Sequence, residues 1–518
     1  GNTVGNFVGT ITVTQSSGTL SGAKSITTNN GAVTFAGLKL NGSTTSPHSL
    51  TYAAQGTNLT TDSQSFSLEA GAAHHLAIIA APTSAQNRIT FGVTPEIEVQ
   101  DVNDNPVPNS GITIEISTTA LTLDGTTSLA ANASTGRAIF SGLSLRGLIG
   151  SQPTLRFADS NPSGLATLTQ AVTVTHGTAT KLAVNPSSYT AISGTTFATA
   201  PDVYVQDADG NTVNNSTKTV SVTVAPTTGS TNATSADQTF SSTGILNYPS
   251  AKITGKAQNY NVTYAATGLT AAVQTVTLGH SAATQLVKVA MPTSAKAGVG
   301  FTTNPKFEIQ DASGNVVTTG NFATASVSAT VATNITGGAL RTAGATTSAV
   351  IASASGGVVE FDDINLVGAA NKTYTINFAI SAPSSSITSD AQVLSLNAGN
   401  PYKLAVTEQP ANVVAGLTFA TAPKAQIQDA WNNPVGAVAS SYSIKADLVT
   451  TDNATVEDNT QSAVSVSGSN DTATFSAISF SAMGDHKLRL SATGLVAAVS
   501  NQFCVTSAPA DHLVWVNE

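Results

Sequence analysis

Charge is scarce in this chain. Charged residues make up 9% of its 518 residues, against roughly 25% in ordinary soluble proteins, and Ser, Thr, Ala, Gly and Asn fill the polar positions instead. With 20 Lys+Arg against 29 Asp+Glu and no basic run, the chain lacks the footprint that neutralises phosphates, which argues against a nucleic-acid partner. Cysteine is nearly missing too. Cys504 stands alone, so no disulfide within the chain can form, and stability must come from packing and sheet hydrogen bonds. That lack does not argue for the cytosol, because a secreted protein need not carry disulfides. No apolar run approaches the roughly 18 residues of a membrane-spanning helix. Helical periodicity is nowhere sustained, and there is no zinc-protease helix motif, nucleophile elbow or phosphate loop. Paired acids such as Asp362 and Asp363 come without a cleft signature, so no enzyme and no catalytic residue is expected.

What the chain does have is repetition. A marker segment ending in Gln-Asp runs from Phe91 to Asp101 and recurs from Phe197 to Asp207, Phe301 to Asp311 and Phe419 to Asp429. Each copy enters a turn that ends in Asn and Val: Asn105 and Val107, Asn211 and Val213, Asn315 and Val317, Asn433 and Val435. A unit of about 105 residues can bury its own core, unlike solenoid repeats of about 20 to 50 residues, which lean on their neighbours. The period divides the chain into a partial domain over 1–74, whole domains over 75–178, 179–283, 284–400 and 401–509, and the first strand of a following domain over 510–518. On this reading both ends fall in mid-repeat. The domain over 284–400 is the longest, with 118 residues from Asp311 to Asp429 against 104 from Asp207 to Asp311. Its extra length is expected in loops around Gly337 to Gly357 and Ala382 to Asp390, and loop growth of that kind is where a ligand contact would be sought.

Within a unit, apolar and polar residues alternate with period 2. In the marker, Phe91, Val93, Pro95, Ile97 and Val99 face one way, and Thr94, Glu96 and Glu98 the other. A second alternating strand follows the turn, as Ile112, Ile114 and Ile116 or Val220, Val222 and Val224, making a hairpin or a corner between sheets with the marker. Further strands carry Ile139 and Phe140, then Leu155 and Phe157, then Val172 and Val174, with counterparts in every copy. Six or seven short strands per hundred residues or so, without helix, predict tandem immunoglobulin-like β-sandwich domains, an all-β fold. Only about four or five residues join one unit to the next, as in Gly177 to Lys181, too few for flexible coil. The expected shape is therefore an elongated, semi-rigid rod, on the order of 130 to 170 Å for four stacked sandwiches.

Lys181-Leu-Ala-Val184, the stretch Phe197 to Asn211 and Lys403-Leu-Ala-Val-Thr-Glu-Gln-Pro410 resemble bacterial immunoglobulin-like repeats, of the invasin-like kind, in very large secreted surface proteins, including gliding-motility adhesins. The resemblance covers nearly the whole chain. It implies export, a bacterial cell-surface address and a stalk or adhesive role, with partners among other copies of the chain, other surface proteins, glycans or a solid surface. It carries over no catalytic residue. Two other functions stay open beside the stalk: a self-assembling extracellular filament or sheath, and an array of carbohydrate-binding modules.

The candidate sites are few. Asp101, Asn103 and Asn105, and Asp207, Asp209 and Asn211, place oxygens at alternate positions as in the first half of a calcium loop. The competing reading is a turn in which the aspartate caps its own backbone amides, and no other cofactor is implied. Trp431 occupies a turn tip where the other copies have Asn103, Asp209 and Ser313, so it either stacks on a sugar or packs on the adjacent domain. His74, His75, His176, His280 and His512 fall near junctions without convergent ligands for a metal, while His48 and His486 show no partner pattern. Trp515 aligns with Ile78, Val184 and Val406 as core or junction packing. Cys504 aligns with Ser67, Thr173, Thr277 and Ser395 on the face opposite the core, as a drifted hydroxyl position or a functional thiol. Sequons at Asn58, Asn132, Asn261 and Asn371 allow glycosylation without requiring it.

Overall fold

The computed structural model describes residues 4–161, 164–226, 237–332, 337–342, 345–388, 390–459 and 461–508. Among these residues the only helical element is one 3-10 turn, Asn321–Thr324. Everything else regular is strand.

Four units share one plan. An opening strand (His75–Ala80, Lys181–Asn185, Ala283–Ala290, Lys403–Glu408) pairs antiparallel with the marker strand (Glu96–Gln100, Asp202–Gln206, Lys306–Asp311, Lys424–Gln428). On its other edge the marker strand takes a short strand (Arg137–Ile139, Ile245–Asn247, Val358–Glu360, Thr472–Thr474), completing a three-stranded sheet. The facing sheet is built on the strand that follows the marker turn (Thr113–Thr118, Thr219–Ala225, Ser326–Val331, Val438–Val449) and its antiparallel neighbour (Thr154–Asp159, Asn259–Ala265, Lys372–Ala382, Gly484–Ser491). Marker and following strand thus lie in different sheets, and the turn between them is a corner.

Proline sets two of the boundaries. Pro82, Pro186, Pro292 and Pro410 follow the opening strands, and with no N–H to donate they stop the ladder there. The chain then crosses to the facing sheet, where Ser84–Gln86, Ser188–Ile192, Ser294–Lys296 and Val413–Val414 run parallel to the last strand of the unit. This parallel contact in an otherwise antiparallel sandwich, with the opening segment shared between the two sheets, is immunoglobulin-like. The second proline precedes each marker strand. Pro95, Pro201, Pro305 and Pro423 lend their carbonyls to Phe140, Tyr248, Phe361 and Phe475, and the marker strand begins only after them. The expectation of a continuous strand from Phe91 is corrected accordingly: Phe91 is buried, but Val93 is 49% exposed and Glu98 is buried. In the next strand Ala138 and Phe140 face the core and Ile139 faces out, so the inward pair is not Ile139 and Phe140.

Each unit closes its own core. Separate apolar clusters run from Leu76 to Val174, Leu182 to Leu278, Leu286 to Leu396 and Leu404 to Val505. The extra length of the third unit is partly strand rather than loop: Ala339–Thr342 and Asn365–Val367 pair as Thr122–Asp124 and Ser144–Arg146 do in the first unit, and Ala345–Thr347 adds a third strand to that sheet. Ahead of the four units, Gly9–Gln15, Ser25–Thr28, His48–Ala54 and Asp62–Phe66 form one four-stranded sheet, with Thr19–Ser21 and Lys39–Asn41 paired beside it.

Candidate functional site

The recurring polar site lies at the junctions between units. Each marker strand leads to an aspartate sealed from solvent: Asp101, Asp207, Asp311 and Asp429 are 2%, 1%, 0% and 0% exposed. A buried carboxylate is costly unless hydrogen-bond donors surround it, and here the chain supplies them from three places. One oxygen of Asp311 accepts the backbone N–H groups of Ser313 and Asn315 at 2.8 and 2.9 Å. The other accepts the N–H of Ser281, in the segment joining two units, at 2.8 Å, and the Asn315 side-chain amide at 3.0 Å. The linker donor is Gly71, Gly177 or Gly399 at the other junctions, each at 2.8 Å. Burial pushes the carboxyls of Asp101, Asp207 and Asp311 up, but these donors together outweigh it and hold all three below the usual carboxylate range.

The asparagine at the end of the turn reaches across to the preceding unit. Asn433 Nδ2 donates to the Gly368 carbonyl at 2.9 Å, and its Oδ1 accepts the Ala370 N–H at 2.8 Å. Asn105 does the same with Gly42 and Thr44, Asn211 with Gly147 and Ile149, and Asn315 with Gly255 and Ala257. One primary amide thus reads a carbonyl and an N–H two residues apart, as a neighbouring strand would, while Asp holds that amide in place from behind. Two such bonds are worth about 1–3 kcal/mol net per junction. The sequence reading stopped at the turn's own amides and missed this reach. A usable signal was present, because a glycine stands at the matching position of every preceding unit: Gly42, Gly147, Gly255 and Gly368.

The third turn residue differs at each junction. Asn103 is exposed. Asp209 forms a two-pronged ion pair with Arg88, with both contacts at 2.7 Å, and accepts from the buried Asn87 amide at 2.8 Å. The hydrogen bond from Arg88, ahead of the opposing cost of burial, holds the Asp209 carboxyl well below the usual range. Ser313 meets Ser193 hydroxyl to hydroxyl at 3.0 Å. Trp431 lies half-buried on the third unit's core, with Arg341 5.8 Å from its ring centre. A Cβ on Gly298 would come within 1.5 Å of the indole. Arg88 holds φ 65° where the matching residues are Gly194, Gly298 and Gly416, a left-handed backbone that costs a side chain about 1–2 kcal/mol.

The remaining candidates scatter. His75 pairs with Asp104 at 3.2 Å, and His176 and His280 bond neighbouring carbonyls at 3.0 and 2.9 Å. Among the described residues no group of three or more His, Cys, Asp or Glu side chains is placed to hold a metal, and His512 and Trp515 lie outside the described residues. His48 and His486 are buried with partners, contrary to expectation. His48 is held between Ser17 Oγ at 2.8 Å and the Ser43 carbonyl at 2.7 Å, and His486 meets Glu457 at 2.5 Å. They occupy the place where Tyr260 and Tyr374 bond the Lys256 and Ala369 carbonyls. Cys504 sits between the inward Phe503 and Val505 and opposite Asp485. Burial, then Asp485, pushes its thiol up, which disfavours the nucleophilic thiolate. A cavity of about 690 Å³ beside the first junction includes Glu98, whose carboxylate is occupied by Arg137 at 2.6 Å and Gln100 at 2.6 Å.

No family model matches this chain, and no curated protein does. Solved structures do show likeness. The Escherichia coli adhesin FdeC is 18% identical over 64% of this chain and 99% of its own, with a TM-score of 0.29. Invasin, described as a bacterial integrin-binding protein, is 13% identical over 83% of this chain and 79% of its own, with a TM-score of 0.30. The extracellular cadherin domains 1–5 of protocadherin gamma B2 are 11% identical over 97% of this chain and 94% of theirs, with a TM-score of 0.26. These are likenesses at low superposition scores, and the immunoglobulin-like assignment stands on the strand order itself.

Proposed function

We propose that this chain is a non-enzymatic structural stretch of a large bacterial surface protein, a semi-rigid stalk that holds an adhesive or structural end away from the cell and bears tension along its length. The observation that carries this reading is the junction. Four times, one asparagine side chain docks on two backbone groups of the preceding unit, and its partner aspartate also anchors the short linker. Such a joint restricts rotation between units whose cores are otherwise separate, so reach and stiffness add from unit to unit. The surface address follows the resemblance of the repeats to those of secreted adhesins, gliding-motility adhesins among them. The repeat boundaries after residues 74, 178, 283 and 400 belong to the same proposal.

In the same reading the turns close without calcium. The carboxylate oxygens a cation would need already accept N–H donors, and binding would have to break those bonds. Trp431 serves its junction, since its ring rests on the preceding unit. Solution scattering tests the stalk: a monomer with the dimensions of a stiff rod is expected. Dimensions of beads on a loose string would sink the reading, and regular fibres in electron micrographs would replace it with a self-assembling filament.

A further inference from the structure

The Asp and Asn of each joint are the same, but their surroundings come in pairs. Where the turn carries Asp209, the preceding unit offers Asn87 and Arg88. Where it carries Ser313, the matching dipeptide is Ser193–Gly194, and Ser193 Oγ, itself bonded to the Gly255 carbonyl at 3.1 Å, meets the Ser313 hydroxyl. Where it carries Trp431, the dipeptide is Ala297–Gly298, and the indole occupies the space any side chain at 298 would need. The dipeptide's place is fixed in all units, because the N–H of Arg88, Gly194, Gly298 and Gly416 donates to Leu145, Ile253, Leu366 and Phe480 respectively. In the fourth unit the dipeptide is Ala415–Gly416. Among the described residues nothing lies within 4 Å of where a Cβ on Gly416 would stand, and Leu417, next to it in the chain, and Met483, three residues after its carbonyl partner Phe480, are both exposed.

We propose that the third residue of the Asp-x-X-x-Asn turn and this dipeptide of the preceding unit form a matched pair that decides which repeat can follow which, and that Ala415–Gly416 is an open docking surface for a further repeat of this type carrying an aromatic residue at X. The shared Ala-Gly dipeptide is the reason to expect an aromatic. It removes both the hydrogen-bond donors that suit an aspartate and the side-chain volume that would exclude a ring. Arg88 is retained in a left-handed backbone that favours glycine because Asp209 stands opposite it. The inference deepens the stalk reading but rests only on docking through these turns, not on where the protein is found. A loose rod in scattering would sink the stalk without touching the preference of one repeat for another.

The test exchanges the pairs in the full chain. A297N/G298R alters only the dipeptide, W431D only the turn, and the triple variant rebuilds the Asn87–Arg88–Asp209 arrangement at the fourth junction. The readout is hydrogen exchange at the Ala370 amide, which donates across that junction to Asn433. Either partial variant should speed exchange about tenfold, and the triple variant should return it to within about threefold of the unaltered chain. Unchanged exchange in the partial variants, or a triple variant as fast as they are, overturns the pairing. Slow exchange within the strand Lys372–Ala382 verifies folding. Should the rebuilt junction not fold, the reciprocal exchange N87A/R88G with D209W, read at Ile149, gives the same decision. For the open surface, residues 508–518 are replaced by a second copy of 399–508 with either Trp or Asp at X. The Trp copy should melt at the higher temperature on Ala415–Gly416, and the order should reverse on A415N/G416R. An order that does not reverse overturns the assignment.

Discussion

The second and fourth junctions solve one geometric problem with opposite chemistry. At both, an aspartate and an asparagine fix the turn and dock on the preceding unit. Around that frame the second junction is ionic, with Arg88, Asn87, Asp207 and Asp209 in one network, and the fourth is apolar, with Trp431 on Gly298 and the third unit's core. The difference separates what positions two units from what distinguishes them. The frame uses backbone groups, which every sequence supplies, so it can recur unchanged. The flanking contact uses side chains, so it can vary without moving the frame.

The largest effect should come from breaking the frame itself. Asp311→Ala strips the acceptor from two turn amides, the linker amide of Ser281 and the Asn315 side chain, and is expected to cost about 3–5 kcal/mol in calorimetric stability of the units it joins. A loss under about 1 kcal/mol would show that these bonds are replaced by water. Removing the apolar flank is milder: Trp431→Ala should cost about 2 kcal/mol, and the loss should depend on salt only weakly, through the Arg341 contact with the ring. The ionic flank should behave differently, since Asp209→Asn ought to weaken the second junction by about 1 kcal/mol, with less effect at high salt, where the ion pair is already screened.

Acid sharpens the comparison further. Asp207, Asp209 and Asp311 all have folded-state carboxyls held below their ordinary range. The unfolded chain therefore binds more protons in acid, and the stability these groups give is present above about pH 4 and lost as pH falls below it. The second junction, with two such groups, should loosen before the third, and hydrogen exchange at Ile149 and Ala257 down a pH series reads the order. The smallest effect is that of calcium. Millimolar calcium or a chelator should leave melting temperatures unmoved, and a calcium-dependent rise would return the Asp101 and Asp207 turns to the cation reading.

Much of the sandwich was legible because alternation with period 2 reports burial directly: Ile112, Ile114 and Ile116 all point inward, as the pattern requires. The pattern misled where a ladder was interrupted. Val93 keeps the phase of the marker strand but precedes Pro95, and a residue outside the ladder need not follow its pleat. Ile139 and Phe140 are adjacent, so only one can face the core, and the choice of Phe140 with Ala138 depended on register against Ile97. The extra length of the third unit was expected as loops around Gly337 to Gly357 and Ala382 to Asp390, but part of it is strand, since Ala345–Thr347 is defined by its pairing with Ala339–Thr342. The junction was half legible. Asp-capped turn amides are local and follow from residue type. The docking of Asn433 on Gly368 joins residues 65 apart, and only the recurrence of glycine in each preceding unit hinted at it.

The most direct measurement of the central claim is amide hydrogen exchange at Thr44, Ile149, Ala257 and Ala370 in the unaltered chain and in Asn105→Ala, Asn211→Ala, Asn315→Ala and Asn433→Ala. Protection at all four amides, each lost only in the variant that removes its own asparagine, is the predicted result. Exchange at the rate of an unstructured peptide in the unaltered chain, or protection that survives every substitution, would contradict it.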